Sequence, residues 1–215
     1  MLNRVLLGIA LAGIVAMSAT YAQHAEQSLQ SPDGRQPIEE TVQIPGTSYE
    51  VDFGMLRSQP GAAIHSPGLL DAIVTWLSAT FALPTTDALP VITLASKEVI
   101  AALGHTSAPS DSRQRSTPVP ADEPRILAFY YAPAKTIYLP EGWVGGTPAE
   151  LAMLVHEMVH HLQHAGRLDF ACPQEREALA YAAQEQWGVL FGRDVNADLG
   201  LDPLRTRLIS SCIPY

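Results

Sequence analysis

The chain has 215 residues, 47% of them hydrophobic and 16% charged, which suits one domain with its own core and excludes a disordered tail. Its formal net charge is −9, and its only lysines are Lys97 and Lys135. That balance argues against nucleic acid, whose phosphates reward clustered Lys and Arg, and against docking on an anionic membrane surface.

Arg4 gives the chain a short positive start, and residues 5–17 form an apolar run of 13 residues. Thr20 and Ala22 then place small residues at the −3 and −1 positions of a cleavage site. The pattern reads as a signal peptide over residues 1–22, because a membrane span needs about 20 apolar residues. An uncleaved anchor is the alternative. The expected location is exported, periplasmic or secreted. Cys172 and Cys212 are the two cysteines, and an even count in an exported protein points to a disulfide. Buried free thiols or soft metal ligands are the other readings, and no C-x-x-C spacing supports the second.

Residues 23–45 are polar, contain Ser31, Pro32, Asp33 and Gly34 in succession, and read as a flexible lead-in. The domain is then 46–215. Ser66 and Pro67 suit the N-cap and first position of a helix in which Leu69, Leu70, Ile73, Val74 and Leu77 recur at helical spacing, with Pro84 past its end. A β-prone run at 91–94 precedes a short helix capped by Ser96, expected to end near Leu103 with Gly104 behind it. Residues 108–124 are rich in Ser, Pro, Asp and Arg and read as an exposed loop. Two more β-prone runs, 126–131 and 136–139, flank Pro133 as a hairpin. From residue 147 the pattern is helical, with breaks near 166–172 and 192–200. The expected fold class is α+β.

The chemistry concentrates in His156, Glu157 and His160, an H-E-x-x-H, and four of the seven histidines fall between 156 and 164. Thr147, Pro148 and Glu150 form a capping box with proline at the first helical position, and Gly166 supplies a stop. On that helix Leu151, Val155, Met158 and Leu162 share one face. His156 and His160 lie on the other, one turn apart, where two imidazoles can converge on one Zn²⁺. Glu157 lies too close along the axis for a comfortable third ligand, but it can take a proton from a water at the metal. Solvent-facing or network histidines on an amphipathic helix are the plainer alternative.

A metzincin site needs Gly at position 163 and His at 166, and the chain has Gln163 and Gly166 there. His164 lies about 12 Å along the axis from His156, too far to share a metal. His161 points roughly 100° away from His160 and reads as a supporting or structural group. A third ligand is therefore expected on the next helix, which opens at Pro173. The helix dipole explains a carboxylate in its first turn, Glu175. Glu177 lies deeper, with Tyr181, Gln184 and Gly188 following on its face, and is placed ahead of Glu175 and then Glu185.

His156, Glu157 and His160, followed 17 residues later by a helical Glu177, resemble the gluzincin branch of zinc metallopeptidases. More narrowly, residues 155–187 are similar to a family of small exported bacterial HExxH proteins, and the likeness covers about residues 126–190. The resemblance implies a zincin-like domain with one Zn²⁺ per chain on His156, His160 and Glu177, and Glu157 as general base. It implies that the strand at 136–139 lies at the cleft edge, where a peptide or protein substrate would pair with it. Many gluzincins carry an aspartate three or four residues after the ligand glutamate, whereas Ala180 and Tyr181 stand here. Tyr181 is then the candidate for oxyanion support, with Gln184 and His161 as further supporting groups. Trp76, Trp143 and Trp187 read as core or cleft wall, and Tyr130, Tyr131 and Tyr138 as candidates to line a groove.

The leading expectation is a zinc-dependent hydrolase of peptide or amide bonds. A non-catalytic domain with a closed structural zinc is the second. A binding module tethered by residues 5–17 is the third.

Overall fold

The helical spacings and β-prone runs settle into an α+β fold in the computed structural model, which describes residues 41–106 and 127–212. The expected signal peptide, most of the lead-in and the loop at 108–124 lie outside the described residues.

The first two strands, β1 (Thr41–Gln43) and β2 (Glu50–Asp52), form an antiparallel pair that runs into the short helix α1 (Phe53–Ser58). The lead-in expected over 23–45 therefore reaches too far: Ile44 is fully buried and belongs to the core. Helix α2 (Pro67–Phe81) starts as its residues dictate, the Ser66 hydroxyl accepting the Leu69 N–H with Pro67 behind it. Its apolar stripe, Leu69, Leu70, Ile73, Val74 and Leu77, is buried.

Strand β3 (Val91–Ala95) leads into α3 (Lys97–Thr106), which runs past the expected stop at Gly104. Glycine costs about 1 kcal/mol inside a helix, too little to end one that neighbouring packing holds. Strand β4 (Phe129–Tyr131), a 3₁₀ turn at Ala132–Ala134 and β5 (Thr136–Pro140) make the expected hairpin, with Tyr130 opposite Ile137. Lys135 closes the turn at φ 48°.

One expectation about this sheet is overturned. The strand order is β3-β5-β4, so β5 is central, paired in parallel with β3 from Val91↔Thr136 to Ala95↔Pro140. The strand at 136–139 is not at an edge; among the described residues β4 and β3 are. Ile137 and Leu139, both fully buried, mark β5 as an interior strand, since a central strand loses solvent that an edge keeps.

Helices α4 (Pro148–Ala165) and α5 (Pro173–Leu190) pack against each other, and α4 also lies against β4 and β5. Two short helices follow, α6 (Val195–Asp198) and α7 (Pro203–Ile209). Small side chains permit the close approach of α5: Ala180 and Ala183 are fully buried. Trp187 then meets Trp76 of α2 edge to face at 5.4 Å between centroids. All three tryptophans are core residues.

The end of α4 differs instructively from its expected form. The left-handed residue is Arg167 at φ 51°, while Gly166 stays in the right-handed region. Glycine is needed there for space: a Cβ at Gly166 would collide with the Pro84 ring. Gly166→Ala gains up to about 1 kcal/mol from a stiffer unfolded chain but overpacks at a typical cost of about 1–3 kcal/mol. A net loss is expected in the denaturation midpoint, and an unchanged or raised midpoint would show that Pro84 yields.

Candidate metal centre

The helix that carries the histidines is fixed at its start by local chemistry. The Thr147 hydroxyl accepts the Glu150 N–H at 3.1 Å, and Pro148 sits at the first helical position. The Glu150 carboxylate reaches back one residue further than a standard capping box and accepts the Gly146 N–H at 2.8 Å. From there every residue of α4 from Leu151 to Gln163 is buried. The helix is enclosed all round, with its polar face turned onto α5 and the sheet.

That enclosure decides where the polar groups go. His156 and His160 are each 8% exposed and Glu157 is 6% exposed. The two imidazole rings meet edge to face, 5.0 Å between centroids. Glu177 enters from α5 with one oxygen for each ring: Oε2 is 3.4 Å from His156 Nε2 and Oε1 is 3.3 Å from His160 Nε2. One ligand atom from each of the three residues lies within 4.8 Å of the other two. They form the group of metal-ligating type among the described residues.

The electrostatics follow from this enclosure. Burial pulls His160 down, but hydrogen bonding and attraction from Glu177 overcome it and take the imidazole up to about 9. Burial raises Glu177, yet the two imidazoles outweigh it and hold the carboxyl well below the usual carboxylate range. Burial pushes Glu157 up against the pull of His156 and His160, with a smaller lowering contribution from the Tyr130 backbone nearby. Tyr130 lies on the edge strand β4, so that edge passes directly beside Glu157.

The supporting candidates separate. Tyr181 packs its ring on His156 at 4.7 Å, and burial with nearby Glu177 and Glu157 pushes its phenol up to about 12. Gln184 is buried but turned away, donating to Asn196 Oδ1 at 2.6 Å. His161 is a structural strut: its Nε2 donates to the Ala88 carbonyl at 2.8 Å and its Nδ1 accepts from the Tyr130 hydroxyl at 3.1 Å. Tyr130 is thereby a core residue at 6% exposure and does not line a groove. Glu175 is exposed and accepts the Ala171 N–H, and exposed Glu185 accepts from Asn196. Neither joins the cluster, nor does the exposed His164.

The structure adds two contacts to the site. Gln163 accepts from His160 Nδ1 at 3.0 Å and donates to the Arg176 carbonyl at 3.1 Å. The approach of the Tyr130 backbone to Glu157 is the other. The first had a local signal, an amide three residues after a histidine on one helix face; the second depends on strand register and had none.

Cys172 and Cys212 form a disulfide across a separation of 40 residues, Cα atoms 6.0 Å apart. It joins the start of α5 to the chain just after α7. Cys172 occupies the N-cap of α5 without capping it, its sulfur being committed to the bridge.

No curated protein matches the chain, and no solved structure does. A family model described as a domain of unknown function matches residues 62–214, which include His156, Glu157, His160 and Glu177. With that match spanning well over half of its length, the chain belongs to the DUF6647 family.

Proposed function

We propose that the protein is an exported zinc-dependent hydrolase of gluzincin type that cleaves peptide or related amide bonds. The observation that carries this is the convergence of Glu177 on both histidine Nε2 atoms, at 3.4 and 3.3 Å. Those separations are long for charge-assisted hydrogen bonds, which run about 2.7–2.9 Å. They suit neighbouring donors on a tetrahedral zinc, which ligand bonds of about 2.0–2.1 Å place roughly 3.3–3.4 Å apart. Two imidazoles and a carboxylate are a zinc donor set that leaves a fourth position open.

Held by His156, His160 and Glu177, zinc would supply Lewis acidity at the scissile carbonyl and lower the pKa of water to about 7. The rest falls to this chain's residues. Glu157, next to His156 on the same helix and buried beside both histidines, takes the proton of the attacking water and delivers it to the leaving amine. Tyr181, whose ring packs on His156 at 4.7 Å, is the candidate donor to the oxyanion. The substrate lies along β4 in place of β5, because β4 is the edge that passes the base.

A closed structural zinc would need a fourth protein ligand. The cluster has three among the described residues, and Cys172, the thiol nearest in sequence to Glu177, is spent in the disulfide. The Cys172–Cys212 disulfide also supports export, since such bridges persist in oxidising compartments. No helix among the described residues is long and apolar enough to cross a membrane.

Elemental analysis of the purified mature chain tests the proposal. About one zinc per chain, together with peptide hydrolysis that a chelator abolishes and zinc restores, is the expected result. A chain that takes up no zinc after incubation with the metal would overturn it.

A further inference from the structure

Buried amides are expensive unless their hydrogen bonds are made, and a glutamine inside a helix pair has several to make. Gln163 is 2% exposed and makes its bonds in opposite directions. On one side its Oε1 accepts from His160 Nδ1 at 3.0 Å. On the other its Nε2 donates to the Arg176 carbonyl at 3.1 Å, and Arg176 immediately precedes Glu177 on α5. The amide orientation is not arbitrary. Flipping it would bring Oε1 against the Arg176 carbonyl, acceptor to acceptor, so the α5 backbone dictates that the oxygen faces His160.

We propose that Gln163 is a positioning residue for the metal centre, fixing which nitrogen of His160 faces Glu177 and tying that histidine to the backbone beside Glu177. The inference rests on the metal-centre proposal above. Since the Gln163 oxygen can only accept, His160 carries a proton on Nδ1, and its metal-side atom is Nε2, the atom 3.3 Å from Glu177. One side chain thus sets the tautomer of a ligand on α4 and its spacing from a ligand on α5. His156 has no counterpart, for its Nδ1 is buried without a hydrogen-bond partner. The centre is therefore asymmetric, with His160 the oriented ligand and His156 held by packing against Tyr181.

Partners of this kind typically contribute about 10–100-fold to metal affinity. The test measures zinc affinity by competition with a chelating dye, for wild type, Gln163→Met and Gln163→Glu, alongside the Tm of each metal-free chain. Methionine keeps the volume and removes both bonds, whereas glutamate keeps the acceptor for His160 and loses the donor to Arg176. Both variants are expected to lower the metal-free Tm. A merely structural glutamine predicts nothing more. A positioning residue predicts zinc binding about 10–100-fold weaker in Gln163→Met and rescued in part in Gln163→Glu, which keeps the tautomer but not the tie to α5. Long-range proton–nitrogen spectra of zinc-loaded wild type supply a check that needs no variant: the His160 Nδ1 should carry the proton. Wild type that binds no zinc would remove the metal centre and this role together. Wild type that binds zinc, with Gln163→Met binding equally well or Nδ1 found on the metal side, would overturn the role of Gln163 alone.

Discussion

Glu157→Gln is expected to keep its zinc and to lose hydrolysis by roughly 10²–10⁴-fold, the usual worth of a positioned general base. Glutamine has the same shape as the carboxylate it replaces. It has no basicity to offer the attacking water. Glu177→Ala is expected to fail differently, by losing the metal. Two histidines one turn apart would remain without the carboxylate that meets both Nε2 atoms, and retention of zinc should fall to a small fraction of the wild-type content. Zinc per chain and turnover, read together on both variants, check the assignment. Full turnover in Glu157→Gln would remove that residue from the chemistry, and full zinc in Glu177→Ala would move the third ligand elsewhere.

The roles proposed for Glu157 and Glu177 separate because of where their helices put them. Glu157 shares α4 with the histidines, so helical geometry keeps it beside their metal-side nitrogens but not between them. Glu177 arrives on α5, and only the contact between the helices can set its distance. The sequence made the first relation readable, because His156, Glu157 and His160 lie within five residues of one well-capped helix. It made the second readable only as a choice among Glu175, Glu177 and Glu185. The structure brings Glu177 to the histidines and leaves the other two in surface hydrogen bonds.

The remaining differences have the same origin. The hairpin of β4 and β5 was legible because its two strands are adjacent in sequence and joined through a proline turn. The parallel pairing of β5 with β3 was not, since it joins residues 91–95 to 136–140 across a helix and a long segment. Local periodicity carries no term for it, and without it β5 looks like an edge. Likewise Gly166 was readable as a helix end, but the Pro84 ring that demands a glycine there comes from a distant turn. The N-cap hydroxyls of Ser66 and Thr147 and the i, i+4 spacing survive folding because they are local. Strand order and outer hydrogen bonds such as Gln163 to Arg176 are set by packing.

Removing the disulfide, by Cys172→Ala with Cys212→Ala, is expected to destabilise the protein while leaving zinc in place. The bridge closes a loop of 40 residues, for which restriction of the unfolded chain is worth about 4 kcal/mol at 25 °C. For a domain of this size that corresponds to a fall in Tm of about 8–16 °C. The figure is a ceiling, because the native state also gains freedom when the bridge is cut. Helix α7 contains no buried residue, and Leu204 and Leu208 are 67% and 55% exposed. Its own packing holds it weakly, so fast amide exchange over residues 203–209 should accompany the loss. The metal donors do not depend on it: Ala180, Ala183 and Trp187 on the same helix as Glu177 are fully buried, and Gln163 joins that helix to α4 at Arg176. Thermal melts and zinc content of the double variant therefore diverge, one falling and the other holding. A parallel loss of zinc would show instead that Glu177 is positioned through the start of α5, where Cys172 anchors it, and that an oxidising environment is a condition for the metal centre as well as for stability.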